Sequence, residues 1–579
     1  MTNLTQWKPS LMLSGLALVI AIVLPAAVLA AAPQPGKRAT TATLSSKHTN
    51  NPFCSKLGKS VQASQAAQMF CNPPASPAGA AAAVKAPTTT SYGTNVDAAN
   101  PQEDITPSGV SIHGQSETSI AAAGQYVVEA WNDATGFFAP CGSPSNKDQL
   151  TGFGFSTDGG KTFRDLGGLP NNQCSTSQIV GDPSVEAYVV GGVTYFYISS
   201  IFIPFTVPEN ALSVTACRVL GSGPTANLEC GQPTIAAISS DCQTFYGYGG
   251  FPFCSFLDKE FLAIDPGRNR LYMSYTEFGP STGFSGVVEL AMCDLSNPMS
   301  PACQNGAGSI NGKGAMAAPY FVVAPADQNF CENEGAYPAV DTRTGDVYVA
   351  YEHDWFSSLF NCGNETAQNV MTFIPAYCLT PTPTSFCGGP AASRAVNIVS
   401  MSAAFIPGYN RFPMNDFPRV AVSNPAGTVS MIWNDARQRP TGDIFLQSFD
   451  LGSLAPVANQ PVRINGTRSA GGWNFLPAVR NASGRGSLNV SFYSRSIANT
   501  ALTNVNAALG IDPRVASSPK GSDTGITTGP TDWNAVSSII VPNFGDYTDN
   551  YITGSTLYVA WSDGRPGIPQ PFEDSVGVR

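Results

Sequence analysis

Beyond residue 110 the chain repeats one pattern: alternating apolar residues, a turn, then a second stretch rich in Tyr and Val that ends in an aromatic and polar residues. The clearest copies are YPAVDTRTGDVYVAYEHD (Tyr337–Asp354), EFLAIDPGRNRLYMSYTE (Glu260–Glu277) and FPRVAVSNPAGTVSMIWND (Phe417–Asp435), with looser copies starting at Glu117, Asp182, Phe475 and Asp546. Alternation with period two, joined by turns containing Gly or Asn, predicts β-hairpins and not helices. A third strand follows several copies, as in GDIFLQSFD (Gly442–Asp450) and GVVELAMCD (Gly286–Asp294). Antiparallel units of this kind predict an all-β fold, a β-propeller of seven mostly four-stranded blades, with six blades and a divergent insertion as the alternative count.

Composition narrows the class. Only 12% of the 579 residues are charged, against 43% hydrophobic, with 56 Gly and 46 Pro. Helical bundles and coiled coils need more charge than this on their solvated faces. A net charge of −10 and the absence of any basic run argue against a nucleic-acid partner. Residues 1–32 read as a signal peptide, with Lys8 ahead of the apolar stretch Leu11–Leu29 and small residues such as Val28-Leu29-Ala30 for cleavage. The alternative is an uncleaved anchor; no other segment is apolar enough to span a bilayer. Residues 33–103, rich in Ala, Thr, Ser and Pro, read as a flexible segment, and 104–579 as the propeller. Fourteen Cys without a C-x-x-C point to disulfides and a secreted or extracytoplasmic location. Pairing each Cys with its next neighbour gives 54–71, 141–174, 217–230, 242–254, 293–303, 331–362 and 378–387.

One hairpin carries a family signal. STDGGKTF (Ser156–Phe163) fits the Asp-box S-x-D-x-G-x-T-[WF], and in this it resembles the bacterial neuraminidase repeats of sialidase-like propellers. Asp158 is placed to accept backbone N–H groups beside Ser156, Gly160 permits positive φ, and Phe163 packs back onto the sheet. The resemblance implies a sialidase-like propeller over residues 110–579. In that family the Asp-box is structural and lies far from the site, where Arg residues clamp a sugar carboxylate and the first comes from the first inner strand. Here that strand reads Glu117-Thr118-Ser119-Ile120, with no Arg, which argues against cleavage of sialic acid.

The start of each inner strand and the end of each second strand lie on one face of a propeller. Those positions bring together Glu117, Asp182, Asp258, Glu260, Glu334, Tyr337, His353, Asp416, Arg437, Arg495, Asp546 and Arg565 as a candidate ligand rim. Carboxylates there suit hydrogen bonding to sugar hydroxyls or acid/base hydrolysis, and the three Arg an anion clamp. The competing reading makes WNDAR and WSDGR blade latches, with Arg forking onto a nearby carboxylate. No catalytic residue is singled out, and no metal or other cofactor is assigned; DTRTGD (Asp341–Asp346) suits a plain turn better than a calcium loop. No nucleophile elbow, phosphate loop or zinc motif occurs. Two functions fit: a secreted, glycan-directed propeller, either a divergent exo-glycosidase or a carbohydrate-binding relative, and a non-catalytic extracellular or envelope scaffold for protein partners. The last blade lacks an outer strand of its own, and Ile105–His113, through Val110-Ser111-Ile112, is expected to supply it by pairing with Ser575–Val578.

Overall fold

In the computed structural model the described residues are 54, 71, 91–102, 115–137, 139–244, 252–303, 321–326, 333–353, 366–379, 394–401, 417–466, 472–482, 484, 486–515, 523–536 and 543–578. Seven antiparallel sheets of four to six strands follow one another along the chain, with a two-stranded sheet, Cys242–Thr244 with Pro252–Cys254, between the second and the third. Their inner strands are Ser116–Ala123, Val185–Val190, Phe256–Asp265, Asn333–Val340, Arg419–Ser423, Trp473–Asn481 and Asp549–Thr553. Each begins within four residues of a copy of the hairpin pattern. Every inner strand neighbours the inner strands of the sheets before and after it, and the seventh neighbours the first, so the sheets are blades of a closed seven-bladed propeller.

Both faces of a blade are covered by its neighbours, and the second strands are therefore apolar nearly throughout. Val128, Phe153 and Phe155 of the first blade pack on Val185, Phe196 and Ile198 of the second. Ile432 and Leu446 of the fifth pack on Val479 and Phe492 of the sixth. The aromatic-then-polar end of the second strand is a fixed device. Trp433 and Trp561 are fully buried, and each donates its indole N–H to the Asp two residues on, Asp435 and Asp563, at 2.9 Å. A buried indole thereby keeps its hydrogen bond while its ring fills the interblade core.

Five of the expected disulfides are present: Cys54–Cys71, Cys141–Cys174, Cys217–Cys230, Cys242–Cys254 and Cys293–Cys303. Cys378 is also disulfide-bonded, but Cys331, Cys362 and Cys387 lie outside the described residues. The hairpin at Ser156–Phe163 has the expected local bonds. Ser156 Oγ donates to Asp158 Oδ1 at 2.8 Å, which also accepts the Thr162 N–H at 3.0 Å, and Phe163 packs on Trp131. Gly160 has φ +85°, and a Cβ there would collide with the Glu573 carboxylate at 2.6 Å.

The ring closes, but not with the expected segment. The fourth strand of the last blade is Asn95–Asp97, pairing Val96 with Glu573 and Asp97 with Phe572, and Ser91–Tyr92 adds a fifth. Strands thus begin ahead of the expected boundary at 104, inside the segment read as flexible; Ile105–His113 falls outside the described residues. The place beside Gln570–Gly577 is taken by Asn95–Asp97, whose side chains bind it there.

Asn95, fully buried, is the hub of the closure. Its Nδ2 donates to Ile526 O and Asp574 Oδ2, while its Oδ1 accepts from Thr528 N at 2.7 Å and from Arg565 Nη2 at 2.8 Å. Arg565 meanwhile forks onto Asp563 and lies over Tyr92. Asn95→Ala removes all four of these bonds from a fully buried position and is expected to cost about 2–4 kcal/mol in denaturant-unfolding experiments. The exposed control Gln102→Ala should change stability by less than about 0.5 kcal/mol.

Candidate functional site

At the start of several inner strands the ladder slips, between Ser116 and Ser119, Asp258 and Phe261, Glu334 and Tyr337, and Phe475 and Ala478. Within these bulges Glu117, Lys259 and Leu476 take φ of 54°, 59° and 47°, and Asp182 has φ 56° just before its strand. A left-handed non-glycine residue costs ~1–2 kcal/mol, and its effect is to re-aim the side chain out of the strand's alternation. Here it turns charged groups from three blades toward one another.

Glu117, Asp182, Asp258, Lys259, Glu260 and Asp546 are all at most 1% exposed. Glu117 accepts the Asn132 amide N–H on one carboxylate oxygen and the Asp546 backbone N–H on the other, at 3.1 Å. Asn132 Oδ1 accepts the Asp182 N–H at 2.7 Å. The seventh blade approaches so closely that a Cβ on Gly545 would lie 2.3 Å from Glu117 Cγ. Lys259 Nζ forms an ion pair with Asp546. Burial works against the ammonium charge, but Asp546 first, then Asp258, Asp182 and Glu117, raise its pKa above the ordinary lysine value. Burial, reinforced by Glu117 and Asp258, drives Asp182 far above the carboxylic range, and a hydrogen bond to Glu117 adds to the rise. Glu260 is likewise driven up, chiefly by burial. Both shifts favour the neutral acid, which lessens the charge opposed by the one Lys.

The expected rim residues separate into groups. Glu117, Asp182, Glu260 and Asp546 join this cluster. Glu334 is buried opposite Glu352 across the fourth blade's first hairpin. Tyr337 packs on Phe261 and under Arg419, not on the rim. His353 is half-buried and bonded through Nδ1 to Asn333. Asp416 lies outside the described residues. Arg437 Nη2 pairs with Asp435 at 2.5 Å, and Arg565 forks onto Asp563, Nη2 at 2.6 Å. Arg495 donates to the Thr500 carbonyl, and burial lowers its pKa to about 10. The three Arg are separate local contacts and do not form a common clamp.

Sequence reasoning missed a second charged group among the inner strands. Arg480 pairs with Glu186 at 2.8 Å and Asp549 at 3.7 Å, and Ser119 Oγ donates to Asp549 at 2.7 Å. Arg419 stands over the rings of Phe261, Tyr337 and Tyr547 at 4.2–5.7 Å. The signal was available: each is a charge set within an otherwise apolar inner strand. Among the described residues two groupings bring Cys and acid atoms close enough for a metal, Cys141/Asp148/Cys174 and Glu209/Cys242/Cys254, but their sulfurs are already joined as disulfides.

The second blade adds an open feature. Its second strand, Val193–Pro204, runs past the inner strand and pairs with Ser177–Ile179, Ser177 opposite Pro204. This overhang is at the end of the second strand, the side on which inner strands begin. A cleft of about 210 Å³ opens against it, lined by Asn172, Gln173, Thr206, Gln232 and Phe202 among others.

No protein-family model matches the chain, and no curated protein matches it by sequence. Among solved structures it is similar to the Penicillium chrysogenum α-L-arabinanase complexed with arabinobiose (10% identity, 84% of this chain and 98% of that one, TM-score 0.33). It is similar also to the Trypanosoma rangeli sialidase in complex with the inhibitor DANA (11% identity, 70% and 56%, TM-score 0.34). A third is the intramolecular trans-sialidase from Ruminococcus gnavus in complex with oseltamivir carboxylate (9% identity, 80% and 94%, TM-score 0.31). At these values it is the strand topology that defines the fold.

Buried acids also set the pH response. Glu129, fully buried, has its pKa driven well above the usual value by burial alone, and Glu573, across the seam between the first and last blades, rises for the same reason with Glu129 adding to it. A raised folded pKa gives stability that is complete below the unfolded value, ~4.3 for Glu, and is lost as pH rises toward the folded value. The melting temperature should therefore fall between pH 4.5 and 8, and Glu129→Gln should flatten that slope, raising the melting temperature at pH 8 more than at pH 4.5. A wild-type melting temperature that rises over this range would contradict the assignment.

Proposed function

We propose that the chain is an extracytoplasmic, glycan-directed propeller that recognises sugars without hydrolysing them. The observation that carries the non-catalytic part is the Lys259 ammonium enclosed by Asp546, Asp258, Asp182 and Glu117. Acids that would have to meet a glycosidic oxygen are instead neutralised by one another and by a lysine of their own chain, and none is more than 1% exposed. An anionic sugar gains nothing there: Glu117 stands where an arginine clamp would be needed, and Arg437 and Arg565 are engaged as latches.

The glycan part is supported by the resemblance of the Ser156–Phe163 hairpin to sialidase-like propellers and by the amide- and hydroxyl-lined cleft on the second blade. Five disulfides among the described residues support a location outside the cytoplasm, as does the signal peptide expected at residues 1–32. Among those residues no helix is long and apolar enough to cross a membrane. A second reading, acid/base hydrolysis, is favoured by one feature: Asp182 lies beside Glu117, and burial together with the Glu117 charge raises its pKa well above the usual value.

A panel of fluorogenic glycosides and a glycan array on the purified chain separate these readings. Binding on the array with no turnover on the panel is the expected result. Turnover that falls at least ~100-fold in Asp182→Asn would establish the hydrolase instead. Silence in both assays would favour the protein-interaction scaffold.

A further inference from the structure

We propose that the cleft on the overhang of the second blade binds one uncharged sugar residue, a site separate from the closed acid cluster at the inner strand starts. The proposal rests on the glycan-directed reading and names its ligand class. The lining carries no Asp, Glu, Lys, Arg or His. What it offers is planar amides and hydroxyls beside Phe202 and proline, donors and acceptors paired with an apolar wall. That combination matches a sugar ring, which presents neighbouring hydroxyls along its edge and C–H groups on its face. About 210 Å³ lies below the ~300–1,000 Å³ of sites for drug-sized ligands, and suits a single ring.

The polar groups divide by role. Asn171 is committed to the loop itself: its Nδ2 donates to Gln149 Oε1 at 3.0 Å, and its Oδ1 accepts the Gln173 N–H at 3.0 Å. Gln232 Oε1 accepts the Asn172 N–H at 2.8 Å, which ties one wall to the other. The side chains of Asn172 and Gln173 are exposed and make no hydrogen bond among the described residues, so they are available to a ligand. Both walls are pinned covalently. Cys174 follows Gln173 and is bonded to Cys141, and Cys230, two residues before Gln232, is bonded to its cross-strand partner Cys217. A site on walls already fixed loses little entropy when a weak ligand binds.

Titration of the full chain with galactose, N-acetylglucosamine, L-arabinose and, as an acidic control, glucuronic acid tests the proposal by calorimetry or ligand-observed NMR. At least one neutral sugar should bind with a Kd in the millimolar range, more tightly than glucuronic acid. The double variant Asn172→Ala/Gln173→Ala should weaken that binding about tenfold or more while leaving the melting temperature unchanged, because neither side chain is used internally. Gln232→Ala, which loosens the wall, should weaken it as well. Failure of all three neutral sugars to bind, preference for glucuronic acid, or unaltered affinity in the double variant would each overturn the site. A glycan array that stays positive with the double variant would overturn the cleft alone and leave the glycan reading standing. An array that is silent while a neutral sugar still binds at the cleft would overturn the wider reading and keep the site.

Discussion

A propeller blade has no solvated face, so its stability depends on a neighbour on each side, and for seven blades that condition is met only by a closed circle. In this chain the circle is closed by one three-residue strand, Asn95–Asp97, laid on Gln570–Gly577. The pairing itself is short. Its strength lies in side chains: Asn95 joins the sixth and seventh blades through Ile526, Thr528 and Asp574, and Arg565 locks that hub to the Asp563–Trp561 latch. The Asn100 N–H, bonded to Asp165 at 2.7 Å, extends the seam to the first blade. Three blades are therefore held at one place, and the interblade cores elsewhere depend on it.

The same ring creates the charged centre. Inner strands converge, and bulges with left-handed residues aim Glu117, Asp182 and Lys259 at a common space. Carboxylates brought together without solvent must acquire counter-ions, protons or bond donors. This chain supplies Lys259 as counter-ion and N–H groups that hold Glu117, and burial raises the pKa of Asp182 and Glu260 toward the neutral form. What reads along the chain as a ring of available acids is in the fold a set of mutually satisfied groups. Removing the lysine's charge would leave the acids opposing each other, so the cluster belongs to the architecture as much as to any ligand.

Local features were legible in the sequence and distant ones were not. The hairpins were readable because alternation and turn residues lie within about twenty positions, and five disulfides because each joins strands or loops close in sequence. The closing strand was misplaced for the opposite reason: Asn95–Asp97 is too short to show alternation, and its partner is almost the whole chain away. Whether Arg437 binds a ligand or Asp435 depends on side-chain geometry that both readings share in sequence. Lys259, flanked by Asp258 and Glu260, was passed over because a bulge reverses the inward and outward sense that alternation assigns. Arg480, Glu186 and Asp549 needed only the rule that a charge inside an apolar inner strand calls for a partner.

The closing strand also has a consequence for the order of events during synthesis. Thr94 and Asp574, joined by a hydrogen bond, are 480 residues apart in the chain. Ribosomes deliver the earlier residue first, at roughly 5–20 residues per second, so the closing strand must wait about half a minute or more for its partner. Until then the first blade presents an uncovered face and the strap has nothing to pair with. Cross-links of the Cys217–Cys230 and Cys293–Cys303 kind, with separations of 13 and 10 residues, require no such wait. Individual blades can thus be fixed as they emerge, while the circle itself is a late, single event that cannot precede arrival of the last blade.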